Sequence, residues 1–164
     1  MVLKEFQRLM NIEQIIARIR AGPNDIKLYP AATQSLLEYF EDKAKLVLPL
    51  DFKALYSFSN GFESAEDLFR IIPLDELMDD WHGENRVNGQ FHFAEYLIYS
   101  DLWGVRLGEE GKGNYSIYYP ESKQRKLFMT SSLAEFLGCF LNAGIYGKDG
   151  LYDWSRKNLP VLKP

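Results

Sequence analysis

The chain has a single cysteine, Cys139. No disulfide can close within it, which fits a reducing compartment. Histidine is scarce too: His82 and His92 stand ten residues apart and far from Cys139. Metal ligands on one element recur at spacings of about two to four residues, so neither a metal nor a cofactor is expected. Long apolar runs are missing. No stretch approaches the ~20 residues of a membrane span, and the start, "MVLKEFQRLMNIEQ", is charged and periodic where a signal peptide would be unbroken and apolar. These absences predict a cytoplasmic protein without a membrane segment. Positive charge is not in excess: 19 Lys and Arg face 23 Asp and Glu, a net charge of -4. Direct nucleic-acid binding needs a basic face, so it is not expected. No G-x-S-x-G elbow occurs. "GEEGKGNY" lacks the G-K-[ST] order of a phosphate loop and reads as a hairpin tip. Internal repeats, low-complexity tracts and obvious linkers are missing as well.

What is present describes an ordinary globular chain. Apolar residues make up 46% and charged residues 26%, enough for one domain with a real core. Ten Tyr and eleven Phe predict bulky packing with β-structure. Leu3, Phe6, Leu9, Ile12, Ile16 and Ile19 recur at helical spacing and predict a first helix, stopped by Gly22-Pro23. A second helix is expected from about Pro30, with Leu36, Leu37 and Phe40 as its apolar stripe.

"LPLDFKALYSFSNGF" poses a sharper question: is Asn60-Gly61 a hairpin turn, a helix stop or part of a site? Phe52, Leu55, Tyr56 and Ser59 fall at i, i+3, i+4 and i+7, which is helical. Pro49 suits a helix start and Asp51 suits the first turn. Asn60-Gly61 is therefore expected to end a helix through a left-handed residue. After it come "LFRII" as a strand, "PLDELMDDW" as one or two helical turns, and "EYLIYSDLWGVRLG" as one or two strands. In the last of these Trp103, Val105 and Leu107 share one face, with Gly104 and Arg106 on the other. "YSIYY" and "LFMT" follow as strands. Ser132 and Glu135 predict a capping box before the stripe Leu133, Phe136, Leu137, Phe140, Leu141. The tail from Gly144 to Pro164 is expected to be irregular or briefly helical. Helices, then a strand meander, then a helix predict an α+β class, an antiparallel sheet meander with helices on the N-terminal side and a C-terminal helix packed on it.

The order "LPLDFKALYSFSNG", "FRIIPLDEL", "YLIYSDLWG", "SSLAEFLGCF" resembles the SUKH superfamily, whose founding member is a yeast regulator of cell-wall glucan synthesis. In that family a Leu-Pro pair opens a helix that ends in Asn-Gly. Strands with a glycine-containing turn follow, and a Ser-x-x-x-Phe-Leu helix closes the domain. Leu48-Pro49, Asn60-Gly61, Gly104, and Ser132 with Phe136-Leu137 match these. The resemblance spans roughly Thr33 to Phe140. It implies a single domain over residues 1–164, with the N-terminal helix 1–21 and the tail 144–164 as extensions. It also implies binding rather than catalysis. Bacterial relatives resemble immunity proteins that neutralise secreted toxins, often nucleases; the yeast relative is a signalling hub.

Between Glu63 and Glu84 eight acidic residues meet one base, Arg70, a local charge of -7 in a chain of -4, which leaves +3 for the rest. Phe62 and Trp81 lie in or beside this stretch. Acid around aromatic anchors suits a basic protein surface. Phe62, Glu63, Glu66, Asp67, Asp75, Glu76, Asp79, Asp80 and Trp81 are therefore the candidate partner-binding residues. The same acids also read as solubilising loop residues, and the sequence leaves both open. Asp79-Asp80 and Glu109-Glu110 are adjacent carboxylates that do not face each other across a substrate, and Ser131-Ser132 suit capping better than nucleophilic attack. No catalytic residue is expected. The functional expectation is a protein-binding immunity module, monomer or weak dimer, whose partner is a basic toxin domain; the alternative is a regulatory scaffold of glucan or envelope synthesis.

Overall fold

The computed structural model describes residues 10–22, 25–65, 68–79, 89–108 and 113–164. Among the described residues seven strands form one antiparallel sheet in chain order. They are β1 (Ile26–Leu28), β2 (Phe62–Ser64), β3 (Phe69–Ile71), β4 (Gln90–Tyr96), β5 (Asp101–Leu107), β6 (Tyr115–Pro120) and β7 (Lys126–Thr130). Six helices lie among the described residues: α1 (Ile12–Arg20), α2 (Gln34–Ala44), α3 (Leu50–Phe58), α4 (Leu74–Asp79), α5 (Leu133–Ala143) and α6 (Leu151–Ser155). The α+β meander with a closing C-terminal helix is the class the sequence predicts. No helix of the described residues is long and apolar enough to cross a membrane.

Each helix start has a local cause. Asn11 and Gln14 form a reciprocal capping box at α1, whose Ile12, Ile15 and Ile19 are buried. Leu3, Phe6, Leu9 and Pro23 lie outside the described residues. Helix α2 begins at Gln34, four residues later than Pro30 suggests. The Thr33 hydroxyl accepts the Leu36 N–H, so the cap sits there. Residues 30–32 are instead tied to the end of α3: the Pro30 carbonyl accepts the Asn60 N–H and the Ala32 N–H donates to the Tyr56 carbonyl. Helix α5 is capped by Ser132, which accepts the Glu135 N–H, while the Glu135 carboxylate accepts the Thr130 hydroxyl.

Helix α3 does end before Asn60-Gly61, but not through a left-handed cap. Ser59 is extended at φ -152° and buried. Asn60 then reaches across to α4. Its Oδ1 accepts the Leu74 N–H at 2.9 Å and its Nδ2 donates to Asp75 at 2.7 Å. An orphan donor of the first turn of α4 is thus satisfied from another element. Gly61 adopts φ +93° and passes beneath the Ile71 carbonyl. The Asn-Gly pair is a helix stop that also fastens the next helix.

The helices cover one sheet face. Phe52 of α3 meets Phe91, Phe93 and Tyr115 edge-on, and Phe69 stacks on Phe140 of α5 at 4.1 Å. Trp103 and Val105 point into this core, and Leu107 is half-buried. Gly104 lies in the middle of β5, not in a turn. The two segments expected as extensions are packed in the same core. Helix α1 packs on α3 and α5, and Arg18 donates to the Leu141 carbonyl. Ile145 and Leu151 are fully buried. The tail also covers the β7 edge, through Phe128 N–H to the Pro160 carbonyl and Leu162 N–H to the Lys126 carbonyl, both 2.8 Å.

Candidate protein-docking site

The face of the sheet away from the helices begins with a ladder of opposite charges. Lys27, Glu63, Arg70 and Glu95 are direct cross-strand neighbours on β1, β2, β3 and β4. Such pairs are the sheet equivalent of helical i, i+4 pairs. Arg70 is the hub. Its Nε donates to Glu95 at 2.5 Å, and both of its terminal nitrogens hold the Glu76 carboxylate of α4. Burial works against the guanidinium charge, but Glu76 and Glu95 outweigh it and hold its pKa above the ordinary value. Burial likewise raises Glu76, yet hydrogen bonds from Arg70 and Tyr99 bring it below the usual carboxylate range. Glu63 is held low by the Tyr29 hydroxyl and Lys27. Glu63 and Glu76 act here as fixed anions with donors already in place, which suits positioning rather than proton transfer.

This hub supports an exposed turn between β4 and β5. Leu97, Ile98 and Tyr99 have φ of +51°, +50° and +59° in succession. A left-handed residue other than glycine costs about 1–2 kcal/mol, and a β-branched one is a genuine outlier. The surroundings over-determine the turn. Tyr99 N–H donates to Glu95 at 2.8 Å, Leu97 N–H to the Leu68 carbonyl at 3.1 Å, and Ser100 N–H to the Leu97 carbonyl at 3.2 Å. The Tyr99 hydroxyl bonds Glu76, and Arg70 lies 5.9 Å from the Tyr99 ring. The result presents Ile98 at 86% exposure, beside Leu97, Tyr99 and Leu68 (54% exposed, φ +51°). Backbone held in sparse regions gathers where function needs fixed geometry, and clustered apolar exposure marks contact surfaces.

The candidate residues divide. Phe62 is not at the surface: at 0% exposure it packs against Phe69, because its β2 register with Ile71 turns it to the core. Glu63 and Glu76 join the ladder and its hub. Asp75 and Asp79 are exposed on α4. Glu66, Asp67, Asp80 and Trp81 lie outside the described residues. Leu68, Leu97, Ile98 and Tyr99 stand outside the candidate set. Their sequence carries no Gly, Asn or Asp to announce a left-handed turn, so only the strangeness of "YLIYS" as an unbroken strand hints at it. Cys139 is buried, bonds the Asp149 carbonyl at 3.2 Å, and burial pushes its thiol up to about 12. It is a core residue and not a nucleophile.

Fold and surface together define a small α+β domain that presents a hydrogen-bonded apolar turn above a salt-bridged base. A family model for the SMI1 / KNR4 family (SUKH-1) matches residues 31–139, more than half of the chain. The chain belongs to that family, whose members are generally non-enzymatic immunity or regulatory modules. The comparison with curated proteins gives no match. The family match stops short of α1 at one end and α6 at the other, although both pack on the shared core.

Proposed function

We propose that this chain is a single-domain, non-catalytic immunity-type module that neutralises a secreted toxin by occupying it. The observation that carries the reading is the left-handed turn holding Ile98 outward at 86% exposure over the Arg70–Glu76–Glu95 cluster. A turn already fixed before contact loses little entropy on docking. Exposed Asp75 and Asp79 on α4, with Glu66, Asp67 and Asp80 of the same acidic stretch, supply the charge that steers a basic partner such as a nuclease domain, and Trp81 of that stretch supplies aromatic contact. The module acts in the cytoplasm as a monomer or weak dimer. The family match also fits a regulatory scaffold of glucan or envelope synthesis, in which the same turn would dock a synthesis protein.

The test reads the open reading frame next to this gene and, where it encodes a toxin domain, uses that domain. Co-expression with the full chain should restore growth and give a stoichiometric complex. Ile98→Asp should abolish both while circular dichroism stays native. Protection by Ile98→Asp equal to the original would overturn the assignment of the turn. Absence of an adjacent toxin, with wall-synthesis genes in its place, would favour the scaffold.

A further inference from the structure

On the same outer face, strands β4 to β7 carry a second cluster with a different charge logic. Gln90, Arg106 and Ser116 align on one rung, and His92, Gly104 and Tyr118 on the next. Their in-pointing neighbours Phe91, Val105 and Ile117 are buried under the helices. Lys126 enters from β7; its Nζ lies 5.2 Å from the Tyr118 ring centre and donates to Gln90 Oε1. His92 meets Tyr118 edge-on at 6.3 Å. Tyr118 lies flat across the sheet because Gly104 leaves room: a Cβ there would stand 2.2 Å from Tyr118 Cζ.

Three groups that carry or can take positive charge therefore gather around the buried Tyr118 ring, and they feel one another. Burial first, then Arg106, lowers the Lys126 pKa; burial first, then Lys126, lowers that of His92. Among the described residues no carboxylate lies within ion-pair distance of Arg106 or Lys126. The contrast with β1–β3 is plain, since Lys27 and Arg70 there each hold a carboxylate on a neighbouring strand. Half-buried like charges destabilise an empty site and reward an anion that enters it.

We propose that this face of β4–β7 is a binding site for a phosphate-type oxyanion, gripped by Arg106 and Lys126, with His92, Gln90 and Ser116 as further hydrogen-bonding groups, while Tyr118, 2% exposed, packs beneath them and props the Lys126 ammonium. The cations come from different strands and so approach from different directions. That suits a tetrahedral, multiply charged anion better than a planar carboxylate.

The experiment titrates the isotope-labelled full chain with inorganic phosphate at constant ionic strength, followed by amide NMR. Gly104, Arg106 and Tyr118 should show saturable shifts. Arg106→Gln and Lys126→Gln should each weaken binding about tenfold or more, the scale of a lost charge-assisted bond. The double variant should stay folded and give no response, while Lys53→Gln, on α3, should bind as the original. O-phosphoserine in place of phosphate separates the sources: tighter binding assigns a phosphorylated protein segment, equal binding the free anion. Shifts that do not saturate, that sodium chloride or acetate reproduces, or that persist in the double variant would overturn the proposal.

Discussion

Replacing Gly61 by alanine tests how the chain leaves α3. At φ +93° an L-residue is strained whatever the space around it, at about 1–2 kcal/mol. Space is also lacking: a Cβ would stand 2.3 Å from the Ile71 carbonyl oxygen and 3.2 Å from Pro73 N. Both atoms are backbone. Ile71 is paired to Phe62 on one side and Ala94 on the other, so it can yield only by opening the ladder. Overpacking of this kind adds about 1–3 kcal/mol. The stiffer unfolded chain returns about 0.4–1 kcal/mol. The net loss should centre near 3 kcal/mol, summed from those ranges.

Gly22 supplies the control, with φ +81° and open space, nothing within 4 Å, where a Cβ would stand. Gly22→Ala should therefore show the backbone cost alone, about 1 kcal/mol or less after the entropy return. Urea unfolding reads both. With a slope near 2 kcal/mol per molar, the midpoint should fall by about 1.5 M for Gly61→Ala and by about 0.5 M or less for Gly22→Ala. Equal midpoints for the two variants would refute the close approach under Ile71, and with it the account of the Asn-Gly stop.

Arg70→Met should destabilise by about 3–5 kcal/mol, since it strands Glu95, 3% exposed, without its cation; urea midpoints should show most of the loss recovered in the double variant with Glu95→Gln. His92 carries a folded pKa below its ordinary 6.5 through burial and Lys126. The native state then binds fewer protons than the unfolded one just below pH 6.5, so stability is full above that pH and falls on acidification. His92→Gln should flatten this limb of a stability–pH curve. Deleting residues 144–164 should remove fully buried Ile145 and Leu151 and uncover the β7 edge, at about 1.5–3 kcal/mol for each side chain; aggregation and lost thermal cooperativity are the expected readout.

The sequence carries much of this fold because several signals are local. Ser132 before a helical stripe, Pro49 before Phe52, Leu55 and Tyr56, and the strand Asp101–Leu107 each speak for themselves, whereas "EYLIYS" reads as strand and is mostly turn, β4 starting instead at Gln90. Strands β1 and β2 span three residues each, too few for a period of two to register. Phe62 reads as surface because its neighbours in sequence are acidic; its burial is decided by pairing with Ile71 on another strand. The turn at Leu97–Tyr99 runs against its own residue preferences. Its cause lies in Leu68 and Glu95, held at a distance that no local window sees. Places where local preference and structure disagree are where function is expected.

The outer face separates two ways of using charge. On β1–β4 each cation answers a carboxylate, and the saturated network has a mechanical role, since it holds Tyr99 and through it Ile98. Contact and support are thus different residues. Ile98 would touch a partner and Arg70 would not, yet both should matter to capture. They should matter differently. A partner meeting Ile98→Ala loses apolar contact from a turn still in place, so dissociation quickens while the approach is unchanged. A partner meeting Arg70→Met finds a turn released from its base, and the ordering it must now supply weakens affinity without any contact being removed. Binding kinetics on the two variants, alongside amide exchange at Leu97 and Tyr99, separate these cases: fast exchange with Arg70→Met and slow exchange with Ile98→Ala is the pattern that follows from the geometry. The reverse pattern would mean that the turn holds itself, and that the Arg70 cluster beneath it serves only the sheet.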